Sequence, residues 1–288
     1  MNASLSGKTI VLTGATSGIG KAAALQLATM GARLVLVSRD PAKCARVTEE
    51  IEHQSGNQAL DSIAGDLSVI AETRRVAAEI IKRCPRIDVL VNNAGMIVPE
   101  RRLTADGYEH TFALNHLGYF TLTELLLDTI KASAPSRIVN VSSEAHRRAT
   151  IDFNDVMNER AYGPMKAYGQ SKLANVLFTY ELARRLQGTG VTANCLHPGV
   201  VRTGFGSEFR GLAGFLFSIG KPFLISPTRG AETTVFLASS PGAASVSGKY
   251  FKRCRSILSN DESYRTDVAK RLWELSTALV QRAGTASS

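Results

Sequence analysis

The chain is poor in the features that mark several whole classes of protein. Its four cysteines, Cys44, Cys84, Cys195 and Cys254, stand far apart among 288 residues, with no C-x-x-C pair. Such spacing excludes a disulfide framework and a zinc site and fits a reducing, cytoplasmic setting. No metal is expected. Met1 to Gly7 lack the charged and apolar regions of a secretory signal, so the sequon Asn2-Ala3-Ser4 has no expected use. The most apolar stretch, Phe215 to Ile225, is interrupted by Lys221 and Pro222 and is too short to span a bilayer. There is no repeat and no low-complexity tract.

Charge of one sign is in excess without being concentrated. Lys and Arg number 34 against 25 Asp and Glu, a formal net charge of +9. The short pairs Arg101-Arg102, Arg147-Arg148, Arg184-Arg185 and Lys252-Arg253 are spread along the chain. Scattered pairs read as solvated surface, whereas a polyanion-binding face needs a contiguous block, so no nucleic-acid partner is expected.

What the chain does have is an alternation of apolar, β-branched runs with helical patterns. Strand-like runs lie at Thr9–Leu12, Arg33–Val37, Ile87–Val91, Arg137–Val141 and Val191–Leu196, and helical stretches include Ile19–Met30, Tyr108–Ile130 and Tyr168–Leu186. Near-continuous apolar strands alternating with helices predict a parallel sheet covered on both faces. No composition break divides the chain. The expected architecture is therefore one α/β domain over 1–288, a single doubly wound parallel sheet in three αβα layers. Within it, 5–200 would form the nucleotide-binding and catalytic core, 203–229 a helical substrate lid, and 230–288 a final strand and C-terminal helix. The lid reading rests on the apolar, glycine-interrupted run from Phe205 to Leu224. A pair of amphipathic helices completing the core or an oligomer interface is the competing reading, and contact with a membrane surface is a third.

Gly14, Thr16, Ser17, Gly18, Ile19 and Gly20 lie between the first strand and the first helix. Glycines there permit a sharp turn and close approach of the backbone to a pyrophosphate resting on the helix N-terminus. Gly7-Lys8-Thr9 imitates the end of a P-loop, but it precedes the strand. The second strand ends in Ser38-Arg39-Asp40. Ser38 stands where an acid would hold the free ribose 2′-hydroxyl of NAD, and the guanidinium of Arg39 suits the 2′-phosphate of NADP. Asp40 is the rival ribose ligand, but before Pro41 it suits a helix N-cap. NADP(H) is thus expected over NAD(H), with Lys43 a candidate assistant.

Tyr168 and Lys172 are four residues apart and share one helix face. A tyrosine with a pKa near 10 exchanges protons poorly at neutral pH, and a neighbouring ammonium would lower that value.

Taken in order, Thr13–Gly20, Asp66-Leu67, Asn92-Asn93-Ala94-Gly95, Asn115, Val141-Ser142-Ser143, Tyr168-x-x-x-Lys172 and Pro198-Gly199 resemble the short-chain dehydrogenase/reductase family over about residues 5 to 250. The resemblance implies a Rossmann-type fold and hydride transfer between NAD(P) and an alcohol/carbonyl pair. It also implies roles. Tyr168 would be the general acid–base, Lys172 would depress its pKa and hold the ribose, and Ser143, with Ser142 as competitor, would bind the substrate oxygen. Asn115 would anchor a proton relay. Asp66 and Leu67 would meet the adenine side, Asn92, Asn93, Ala94 and Gly95 would line the cleft, and Pro198, Gly199, Val201 and Thr203 would close over the nicotinamide. His197 has no evident partner and reads as pocket wall.

Val141–His146, Ser171–Asn175, His197–Val201, Ser247–Phe251 and Leu272-Trp273-Glu274 look most like the retinol-dehydrogenase group within that family. That likeness implies an NADP-preferring enzyme for a small lipophilic carbonyl or alcohol, assembled as a homodimer or homotetramer. The N-terminal membrane anchor frequent in the group is not expected here, since Met1 to Gly7 carry no apolar run. A catalytically silent NADP(H)-binding sensor or scaffold on the same fold is the alternative.

Overall fold

The structure is a computed structural model and describes residues 4–199 and 225–285. In chain order its elements are β1 (Thr9–Thr13), α1 (Gly18–Thr29), β2 (Arg33–Ser38), α2 (Pro41–Ser55), β3 (Leu60–Ala64), α3 (Ile70–Arg83) and β4 (Val89–Asn92). The next helix, α4, runs continuously through a turn at His110–Phe112, a π-helical segment at Ala113–Leu117 and an α-helical run at Gly118–Ala132. It is followed by β5 (Ser136–Val141), α5 (Pro164–Arg185), β6 (Val191–His197), α6 (Pro227–Ser239), β7 (Tyr250–Lys252), β8 (Arg255–Ile257) and α7 (Thr266–Thr285).

The strands form one sheet in the order β3-β2-β1-β4-β5-β6-β7-β8. All neighbours are parallel except β7 and β8. Alternate side chains of the central strands leave on opposite faces. Ile10, Leu12, Leu34 and Leu36 join one apolar cluster with Ala23 and Leu27 of α1 and Val235 of α6. Val11, Val35 and Val37 join a second with Val76 and Ile80 of α3 and Phe120 of α4. Burial on both faces is why these strands are apolar without interruption. Behind the second cluster α7 adds a further layer, and its Trp273 stacks edge-on against Phe120, ring centres 5.0 Å apart.

The strand order reverses direction between β1 and β4, so a crevice opens at the carboxyl ends of these strands, where such sheets bind ligands. Asp40 caps α2, accepting the Lys43 amide at 3.0 Å, with Pro41 in the first turn.

Four departures from the expected pattern have local causes. β3 is a half-buried edge strand whose sequence, LDSIA, carries Asp61 and Ser62 and lacks the apolar signature of a covered strand. β4 begins at Val89, because Asp88 is taken by Lys8, Arg86 and the Thr9 amide at the strand's entry. α5 starts at Pro164, a good first-turn residue, so Tyr168 lies in its second turn. The region from 227 onward holds more than a strand and a helix: α6 is opened by the Ser226 cap and Pro227, and β7 returns as β8 through Arg253 and Cys254, both at positive φ (51° and 59°). Two successive left-handed residues make the tight turn that matches strand twist. Of the expected lid at 203–229, residues up to 224 lie outside the described residues, and 227–229 belong to α6.

Candidate active site

A cleft of about 1690 Å³ runs over the carboxyl ends of the strands. Gly14, Thr16, Ser17, Gly18, Ile19, Gly20, Arg39, Asp66, Leu67, Asn93, Ala94, Gly95, Ser143, Tyr168, Lys172, Pro198 and Gly199 all line it. Val201 and Thr203 lie outside the described residues.

At one end the walls are shaped by missing side chains. Gly14 has φ +67°, and a Cβ there would sit 2.7 Å from the Ala94 Cα. A Cβ on Gly20 would overlap the Gly14 carbonyl and approach the Asn93 amide nitrogen to 2.5 Å. Asn93 ties this turn together, its Nδ2 donating to the carbonyls of Thr13 and Gly14 at 2.9 and 3.2 Å. Thr13 completes the brace, its Oγ1 accepting the Asn93 and Ala94 amides. Ser17 precedes α1 without a side-chain capping bond, so the first-turn amides are left for an anion. This cradle fits a dinucleotide pyrophosphate. Arg39 is exposed on the rim, whereas Asp40 is spent on its helix cap. Asp66 lines the floor and accepts from the Ser68 amide and hydroxyl. Asn92 departs from expectation. It is buried and turned away from the cleft, donating to Thr123 and Asn140.

At the other end the walls carry Ser143, Tyr168 and Lys172, with Asn115 buried behind them and outside the lining. The π-helical segment of α4 carries Asn115, whose Nδ2 donates to the Met96 carbonyl (2.9 Å) and the Ser171 hydroxyl (3.0 Å) while its Oδ1 accepts the Met96 amide. A local widening of the helix aims this side chain inward, a common use of π-bulges. On α5, Tyr168 and Lys172 face the cleft one turn apart. Lys172 Nζ donates to the Val141 carbonyl at 3.0 Å. The Tyr168 hydroxyl is hydrogen-bonded to Ser143. Ser142 points elsewhere, its Oγ donating to the Lys172 carbonyl at 2.7 Å. Of the two serines, then, Ser143 is the one bonded to Tyr168.

The electrostatics differ from expectation. Burial pushes Tyr168 up to about 12 despite the Ser143 hydrogen bond, and burial alone pushes Lys172 down to about 7. The protein by itself therefore does not depress the tyrosine. Desolvation taxes the charged form of each partner, and the ammonium stands 5.7 Å from the phenol ring centre.

His197, read as unpartnered, accepts the Glu144 amide on Nδ1 at 3.3 Å, which leaves the proton on Nε2. Burial lowers it to about 4. Burial works to raise Glu144, yet His197, Lys252 and Arg147 hold it below the ordinary carboxylate range. The sequence reading also passed over Tyr119, four residues after Asn115 and hence on the same helix face; that spacing was the available signal.

The family model for short chain dehydrogenases matches residues 8–211. Retinol dehydrogenase 13 of Homo sapiens is 45% identical over 285 residues, which cover 96% of this chain and 86% of the relative. Among solved structures, an uncharacterized protein from Mycobacterium paratuberculosis superposes with a TM-score of 0.78 at 31% identity, over 97% of this chain and 96% of that one. The Pseudomonas aeruginosa RhlG/NADP active-site complex gives 0.70 at 28% identity, over 86% and 95%.

Proposed function

The chain belongs to the short-chain dehydrogenase family, and from that premise we propose that it is an NADP(H)-dependent oxidoreductase interconverting a carbonyl and an alcohol on a small lipophilic molecule. The observation that carries the reading is the Tyr168 hydroxyl, bonded to Ser143 with Lys172 one turn away, in the wall of a cleft whose other end is a glycine cradle.

The cradle and the first-turn amides of α1 would hold the pyrophosphate, and Arg39 would donate to the ribose 2′-phosphate as a charge-assisted pair. When bound, the nicotinamide supplies or takes the hydride. Tyr168 donates a proton to the substrate oxygen in reduction and recovers it in oxidation. Ser143 donates a second hydrogen bond to that oxygen as negative charge develops on it. With its pKa raised by burial, Tyr168 is protonated at neutral pH and so can donate to the substrate oxygen. The lining includes Met96, Ile97, Ala149, Ile151 and Met165 interleaved with Arg147, Arg148, Asp152 and Lys166, so support for an apolar substrate comes chiefly from the likeness to a retinol dehydrogenase.

The test is reduction of a panel of retinal, medium-chain aldehydes, steroids and quinones with NADPH and NADH. NADPH should be preferred, and Tyr168→Phe should lower turnover by roughly 10²–10⁴-fold, the usual share of a general acid, while NADPH still binds. Undiminished turnover in that variant would remove Tyr168 from the chemistry.

A further inference from the structure

Lys172 is a buried cation, 3% exposed. Among the described residues its one hydrogen bond from Nζ goes to the Val141 carbonyl of β5, and no carboxylate lies within ion-pair reach. From the segment after β4, Gly95 comes close: a Cβ there would meet Nζ at 3.3 Å and Asn115 Oδ1 at 3.1 Å. The titratable groups facing the ammonium are two tyrosines. Tyr168, on its own helix, presents its ring at 5.7 Å, and Tyr119, on α4, presents its ring at 5.6 Å. Both distances fall inside the range of a cation–π contact.

Tyr119 is itself 1% exposed, and its hydroxyl has no hydrogen-bond partner among the described residues. A polar tip buried without a partner is costly, so the hydroxyl does not explain the residue. The ring does. Asn115 and Tyr119 are four residues apart on α4, and Tyr168 and Lys172 are four apart on α5, so two helical faces meet with both rings within 6 Å of the ammonium.

We propose that Tyr119 is a positioning residue: its ring is the second face of an aromatic clamp that, with Tyr168, holds the Lys172 ammonium charged and in place beside the reacting phenol. The catalytic use of the clamp rests on the function proposed above; the clamp itself does not. A neutral amine in this position would neither stabilise a phenolate at Tyr168 nor keep the two N–H donors that the ammonium has left beyond its bond to Val141, so loss of the ring acts through Lys172.

The test titrates Lys172 directly. Full-length protein labelled with carbon-13 at lysine Cε is followed by NMR against pH, with the Lys172 signal assigned by its absence in Lys172→Arg. Tyr119→Leu removes the aromatic face and should move the Lys172 midpoint to lower pH by about 0.5–1 unit, a roughly 3–10-fold change in the proton-binding constant. Tyr119→Phe keeps the face and should hold the midpoint within about 0.3 unit of the parent protein. Tyr119→Met serves in place of Leu if the latter does not fold. In carbonyl reduction the limb that falls with rising pH should move the same way in Leu or Met, with kcat affected more than KM, and Phe should restore it. An unmoved midpoint in Leu and Met, or an equal shift in Phe, overturns the clamp. A shifted midpoint in a protein that reduces no carbonyl upholds the clamp and overturns the proposed function instead.

Discussion

The two ends of the cleft are built on opposite plans. The nucleotide end is made of absences and main chain: Gly14 and Gly20 admit close approach because they carry no Cβ, and α1 contributes amides. The other end is made of polar side chains, Ser143, Tyr168 and the nearly buried Lys172, backed by Asn115 and Ser171, which are fully buried behind the lining. A cradle of backbone has a shape and little to tune. A cluster of desolvated ionisable groups has proton affinities that every neighbour alters.

The contrast can be broken experimentally. Its largest expected consequence is a separation of functions. Tyr168→Phe should remove carbonyl turnover and spare NADPH affinity, measured by cofactor fluorescence titration. If both fall together, the ends are not independent.

The next concerns a buried polar group on the same helix as Asn115, behind the cleft. His116, on the π segment, is packed between Phe112, Phe120 and Phe178, with Nε2 against the Ser276 hydroxyl at 2.8 Å. Burial lowers its pKa to about 4. Since the folded value is depressed below the unfolded one, near 6.5, this histidine's contribution is fully present above about pH 6.5 and is lost as pH falls through about 4. The difference is on the order of 3 kcal/mol. Urea unfolding across that window should show a steep loss, and His116→Gln should flatten part of it.

A smaller effect is expected from Gly20→Ala. Its Cβ would meet backbone that cannot rotate away, so unfolding free energy should fall by about 1–3 kcal/mol. NADPH affinity should fall at least roughly tenfold, a change of about 1.4 kcal/mol. A variant that bound normally would show that the loop has slack. Comparable in size, but confined to one cofactor, is Arg39→Gln. Losing a charge-assisted contact of about 1.5–3 kcal/mol should reduce NADPH over NADH preference by roughly tenfold or more while leaving NADH kinetics nearly constant. Steady-state kinetics with both cofactors would show whether Arg39 acts only through the 2′-phosphate.

Much of this molecule was legible in the residues, and the pattern of what was not is physical. The covered strands announced themselves because parallel strands buried on both faces must be apolar throughout. β3 did not, because an edge strand with Asp61 and Ser62 has one half-solvated face. Asp40 before Pro41 read correctly as a cap. Asn92 read as a cleft residue beside Asn93, yet neighbouring strand residues point to opposite faces, and Asn92 takes the buried one. His197 found a partner in the Glu144 amide, 53 positions away, which no spacing rule reports.

The scarcity of cysteine, of long apolar runs and of clustered charge argued against disulfide scaffolds, membrane spans and polyanion faces from the sequence alone, and no helix among the described residues is long and apolar enough to cross a membrane. The order of glycine loop, Ser142-Ser143 pair and Tyr-x-x-x-Lys motif was likewise complete in the chain, because strand periodicity and i to i+4 spacing are local properties. Only the tertiary structure decided which serine faces Tyr168, that the protein alone raises the tyrosine and lowers the lysine, and that Tyr119 closes over the ammonium. Those are matters of desolvation and of contact between α4 and α5, and burial is a property that a residue acquires only from the rest of the fold.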